Sequence, residues 1–194
     1  MIPGLLFPHD SQRDIQKKFM EDVWNCINTK RHMIAHAPTG LGKTVAALAP
    51  ALTFALKENK TIFFLTSRHT QHKIALETLS KIKQKHGLSF VASSLIGKKW
   101  MCAQPGAEAM GSGEFSEYCK YMREKDQCEM YLKTRKKSGG AETAEAAIMI
   151  SDLGIRSPLP LQEVIEGCRQ KGLCPYEVAQ MLAQQATVIV TYYY

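Results

Sequence analysis

The stretch APTGLGKT, residues Ala37 to Thr44, decides how the rest of the chain is read. Gly40 and Gly42 let the backbone close tightly with several N–H groups pointing inward, and Lys43 supplies a positive charge for the β and γ phosphates of a nucleotide. Thr44 offers its hydroxyl to a magnesium ion, and Pro38, Thr39 and Leu41 complete the loop. Ala37 stands where the strict pattern has its first glycine, so the surroundings carry part of the assignment. A short apolar run, His32 to Ala37, enters the loop and an Ala/Leu-rich helical segment leaves it, which is what the motif requires. The loop predicts ATP, or a similar triphosphate, with Mg2+.

Working outward, the polar stretch SQRDIQKKFMEDVWNCI before the loop has helical patterning, and the segment after Thr44 should kink at Pro50, where a helix hydrogen bond is lost. Thr61 to Thr66 (TIFFLT) is a strand, Thr70 to Lys85 a helix, and the region Leu88 to Ile96 a second strand. The run Thr187 to Tyr192 (TVIVTY) is a further buried strand. Strands alternating with helices predict an α/β protein with a parallel sheet. From Gly97 to about Pro175 the character changes: five of the six cysteines lie there, with loop-like AMGSGE and KSGGAE and no clear strand. The expected organisation is an α/β domain, residues 1–96 plus 176–194, interrupted by a cysteine-bearing insertion over 97–175.

The first residues lack the basic-then-apolar pattern of a secretory signal, and the longest apolar run, Val45 to Leu56, is too short to span a bilayer. A soluble intracellular protein with no membrane partner is expected. The net charge of +7 is concentrated between Lys57 and Lys99, where nine basic residues face two acidic ones; the remainder balances at 16 of each sign. Such a segment attracts phosphate backbones, or else it is a solvated helix face. It argues against a small-molecule kinase, whose substrate needs no such surface.

Six cysteines in an intracellular chain are not a disulfide framework. Cys26, on the apolar face of the first helical stretch, reads as a small buried hydrophobe. Cys102, Cys119, Cys128, Cys168 and Cys174 are separated by 16, 8, 39 and 5 residues, with no C-x-x-C pair of the kind found in zinc ribbons. Cys174 precedes Pro175 and a helical run, so it should cap that helix, and the helix dipole should lower its thiol pKa. Four of the five can form a thiolate site for zinc or iron–sulfur, which spacing alone does not separate.

Together APTGLGKT, the upstream RDIQ (Arg13 to Gln16), LTSRHTQ after a strand, the spaced cysteines ending in CPY and the closing VIVTYYY resemble the N-terminal part of the XPD/DinG-type DNA helicases. The resemblance implies a P-loop, RecA-like motor sheet with an inserted, mostly helical [4Fe–4S] domain. It implies that Cys102, Cys119, Cys128 and Cys174 hold the cluster while Cys168 stands by. Arg13 and Gln16 fall in the region that recognises the adenine side of ATP. Arg68 and His69 match the early motif that holds single-stranded DNA, and the basic pair Lys98 and Lys99 joins them as DNA contacts. The implied activity is ATP-dependent 5′ to 3′ unwinding of single-stranded or forked DNA by a monomer, in the cytoplasm beside the nucleoid or in a nucleus. No Asp-Glu-Ala-His string occurs in the chain, so an incomplete motor, inactive by itself, is expected. The alternatives are a non-catalytic nucleic-acid-binding module with a metal-stabilised fold, or another P-loop enzyme with a zinc-bearing insertion.

Overall fold

The computed structural model describes residues 2–38, 40–136 and 140–193. Thr39 of the phosphate loop therefore lies outside the described residues. The chain begins with α1 (Asp14–Asn28), α2 (Lys43–Glu58), β1 (Ile62–Thr66), α3 (His69–His86) and β2 (Ala92–Leu95). The cysteine-bearing region follows as α4 (Lys98–Met101), a 3-10 turn at Ala107–Ala109, α5 (Ser112–Glu124), α6 (Glu129–Thr134), α7 (Ala144–Arg156) and α8 (Leu161–Gln170). The chain returns to the sheet through α9 (Pro175–Gln184) and β3 (Val188–Tyr192).

The three strands pair in the order β1-β3-β2, all parallel. The last strand is thus central, with Val188 and Val190 fully buried. One face of the sheet packs on α2 and α3 through Leu48, Leu52, Leu79 and Ile82. Parallel strands need both faces covered, and on the other face α9 does this over β2, where Ser93 Oγ donates to Ala179 O at 2.9 Å. Behind α9 a second core gathers Met149, Leu153, Val164, Cys168, Leu173 and Leu182 from α7, α8 and α9. α9 is therefore the second layer of the sheet, and the cysteine-bearing region packs behind it. Polar ties from two elements hold that region in place: from β2, Ala92 N donates to Ser157 Oγ at 3.1 Å, and from α3, the Lys83 ammonium donates to Ser157 O and, at 3.3 Å, to Ile155 O.

The strands starting near Thr61 and Thr187 stand where the sequence places them, and the region Leu88 to Ile96 contracts to the four residues of β2. The α2 helix carries Pro50 without ending there. The apolar run entering the phosphate loop joins no sheet. Residues 31–38 belong to no strand, and Ile34 is fully exposed. Four of the six residues from His32 to Ala37 are His or Ala, too little β-branched surface to hold a strand. Cys26 is half-buried rather than a core residue. Among the described residues no helix is long and apolar enough to cross a membrane.

Candidate functional site

The phosphate loop takes its shape from its glycines. Gly40 and Gly42 have φ of 84° and 80°, in the left-handed region that side chains rarely adopt. At Gly42 a Cβ would also lie 2.8 Å from Gln16 Nε2, so this position is closed to other residues twice over. Gly42 is the N-cap of α2, whose first turn carries no acidic residue. The positive end of a 16-residue helix thus opens directly onto the loop. Lys43 bends back, its ammonium donating to Ala37 O and Pro38 O, both at 3.0 Å. Thr44 occupies the second position of the helix.

Arg13 and Gln16 clasp this loop from the side. Arg13 Nη1 donates to Gly40 O at 3.0 Å, and the buried Gln16 donates from Nε2 to Leu41 O at 2.6 Å. Gln16 Oε1 accepts from Arg13 N at 3.1 Å, which closes the first turn of α1. Both ends of the Gln16 amide are therefore spent inside the protein. A short R-x-x-Q string at a helix start reaches 25 positions along the chain to fix a loop carbonyl.

The structure brings Cys102, Cys119, Cys128 and Cys174 to the wall of one cavity, together with Lys98, Arg123 and Glu177. Each comes from a different element. Cys102 ends α4, Cys119 lies within α5, Cys128 caps α6 and Cys174 caps α9. Cys174 N donates to Thr134 Oγ1 at 2.7 Å, tying the start of α9 to the end of α6. Cys168 is fully buried in the α7–α8–α9 core, away from this cavity.

Burial pushes the thiols of Cys102 and Cys119 up, with Arg123 and Lys98 pulling Cys119 the other way. Cys174 is pushed up to about 12, again by burial. The lowered pKa expected from its helix N-cap position is thus overturned: the loss of water around the thiol outweighs the helix dipole. Thiols of this kind become thiolates when a metal group displaces their protons. The four stand around a space; among the described residues no three His, Cys, Asp or Glu side chains converge on a single ion.

The residues assigned to DNA lie at two places. Arg68 is exposed at the N-cap of α3, and the next residue, His69, accepts or donates through Nδ1 to Tyr192 OH at 2.6 Å. Lys98 sits over the Tyr176 ring at 5.1 Å, on the wall of the cysteine cavity. The Lys99 ammonium donates to Met110 O and lies 5.0 Å from the Trp100 ring.

Sequence reading missed His72, one helical turn after His69. Its Nε2 meets Ser94 Oγ at 2.6 Å, and burial, helped by the charge of His69, pushes its pKa down to about 4. The Tyr192 ring packs against both histidines, 5.3 Å from each. These residues line a cavity of about 550 Å³ between α3 and the segment leading into α8. The available signal was an i, i+3 histidine pair, His69 and His72, on a helix that starts beside the aromatic end of β3.

A phosphate-type loop at the start of a helix, a parallel sheet and a four-thiol cavity define an α/β protein with a cysteine-bearing helical region packed behind the sheet. Comparison with known proteins makes the class specific. The DEAD_2 family matches residues 64–194, and the DEAD/DEAH box helicase family matches residues 13–104. The chain belongs to the DEAD_2 family of XPD/DinG-type helicases.

Among its relatives, the Probable ATP-dependent helicase MJ0942 of Methanocaldococcus jannaschii is 36% identical over 104 residues, covering 53% of this chain and 15% of that protein. The ATP-dependent DNA helicase XPD of Sulfolobus acidocaldarius is 31% identical over 99 residues, covering 50% and 17%. A solved XPD helicase superposes with a TM-score of 0.61 at 24% identity, over 95% of this chain and 28% of the other, and shares the fold. The chain thus spans between 15% and 28% of the length of these relatives.

Proposed function

We propose that this chain is the part of an ATP-dependent 5′ to 3′ DNA helicase of the XPD type that holds ATP and single-stranded DNA, and that it carries a [4Fe–4S] cluster. One observation carries the reading: four cysteines spread over 72 positions meet at one cavity, in a chain that also builds a phosphate loop at a helix N-terminus. A small-molecule kinase gives no reason for that second site.

On this reading the backbone N–H groups of Gly40 to Lys43 and the start of α2 take the phosphates, and Lys43 leaves the loop carbonyls for the β and γ phosphates. Thr44 faces the magnesium ion. Arg13 and Gln16 hold the loop and face the adenine side. Arg68 and His69 take DNA phosphates at the N-terminus of α3, with Lys98 and Lys99 further along the strand's path.

Cys102, Cys119, Cys128 and Cys174 hold the cluster; thiols standing around a space suit a group with several irons better than one zinc ion. When bound, that group cross-links four helical elements and supplies a one-electron couple. Single-stranded or forked DNA is the partner, ATP with Mg2+ the nucleotide, and the protein acts as a monomer in the cytoplasm or in a nucleus.

The test is anaerobic isolation of the chain followed by iron and sulfide analysis. About four irons and about four acid-labile sulfides per chain are expected, as the cubane stoichiometry requires. A colourless protein containing one zinc overturns the cofactor. Failure of the same preparation to retain a labelled ATP analogue and a single-stranded oligonucleotide overturns the helicase reading.

A further inference from the structure

We propose that Arg123 is a positioning residue that sets the redox potential of the metal group at its Cys119 corner. The inference rests on the [4Fe–4S] reading above. Arg123 lies four positions after Cys119 on α5, so both project from one face of the helix. It lines the cysteine cavity, and its Nε–H is buried with no acceptor among the described residues.

An unpaired buried N–H on a guanidinium is costly, and native proteins retain few of them. The nearby protein groups do not absorb this one. Glu177, itself 5% exposed, stands 3.9 Å from Arg123 Nη1, beyond hydrogen-bond range. Its carboxylate is already engaged by Arg135 Nε at 2.5 Å. The Tyr131 ring, 5.4 Å from the guanidinium carbon, holds the side chain in place but accepts little charge.

Two arginines therefore share one buried carboxylate, and the surplus charge is Arg123's. It falls beside Cys119, where Arg123 already favours the ionised thiol. Lys98 favours the ionised Cys119 thiol in the same sense, with a smaller effect than Arg123.

A cluster bound by four thiolates is anionic and gains one more negative charge when it takes up an electron; no bond breaks. At a half-buried corner, a fixed cation beside one thiolate stabilises the reduced form more than the oxidised one. Arg123 thus raises the potential.

The experiment compares the parent chain with Arg123→Met, Arg123→Lys and Glu177→Gln. Each is prepared anaerobically, analysed for iron and sulfide, and titrated with mediator dyes under optical or paramagnetic-resonance detection. Arg123→Met should keep its iron and shift to lower potential. Its oxidised-to-reduced ratio at the parent's midpoint should rise about tenfold, about 59 mV for one electron. Arg123→Lys, which keeps the charge, should stay closer to the parent, and Glu177→Gln should move upward.

An iron-loaded Arg123→Met with the parental potential overturns the role of Arg123 while leaving the cluster standing. If Arg123→Met retains no iron, Arg123→Lys and Glu177→Gln decide. A Glu177→Gln potential equal to or below the parent's is then the overturning result. A parent chain without iron removes the cluster reading itself, and this inference with it.

Discussion

The phosphate loop and the cysteine cavity are two different ways of building a site from one chain. The loop is eight consecutive residues whose shape is stored in two left-handed glycines and two clasping side chains. It presents backbone N–H groups and the exposed Lys43. The cavity is assembled from the ends or middles of four helices, its walls carry buried charge, and burial pushes the thiols of Cys102, Cys119 and Cys174 away from the ionised form that a metal needs. On the function proposed above, the loop is held by the chain's own bonds, whereas the cavity's four corners would be completed by a bound metal group.

If that contrast is right, the largest effect belongs to the cavity. Cys102→Ser, Cys119→Ser, Cys128→Ser and Cys174→Ser should each abolish iron retention and leave the region from α4 to α6 open to limited proteolysis. Cys168→Ser should keep iron while losing about 1–3 kcal/mol of stability, because its hydroxyl enters an apolar core. Iron loss in Cys168→Ser, measured beside the other four, breaks the assignment of the corners.

Next comes Lys43→Ala. It should weaken binding of a labelled ATP analogue by about 10- to 100-fold, the worth of one hydrogen-bonded charge contact, with an unchanged thermal transition. A fall in melting temperature comparable to that of a lost core contact would make the loop as ligand-dependent as the cavity.

Gln16→Ala sharpens the same point on the stability side. It removes the bonds to Leu41 O and Arg13 N and should cost about 1–3 kcal/mol in denaturant titration, with weaker nucleotide binding as a consequence. Unchanged stability would mean that the glycines alone hold the loop.

The smallest effect concerns the basic segment that ends beside the cavity. Arg68→Ala should weaken binding to single-stranded DNA modestly and reduce the slope of affinity against salt by about 1, as for one lost phosphate contact. A salt-insensitive affinity in the parent would return the segment to a solvated helix face.

What the sequence by itself determined is local. Glycine spacing located the loop, and apolar runs located β1, β3 and the helix between Thr70 and Lys85 to within a residue or two. Proline after Cys174 fixed a helix start. These signals depend on chain stereochemistry and on periodicity within a few turns, which neighbours in sequence suffice to define. Family resemblance, not spacing, singled out four of the five later cysteines.

Tertiary structure alone decided the rest. It put Cys168 in an apolar core and the other four around a cavity, made α9 the second layer of the sheet, and left 31–38 outside any strand. It also set burial above the helix dipole at Cys174, and joined His72 to Ser94 under Tyr192. Each of these outcomes depends on which residues, tens of positions apart, exclude water from one another, and that is fixed only when the layers pack.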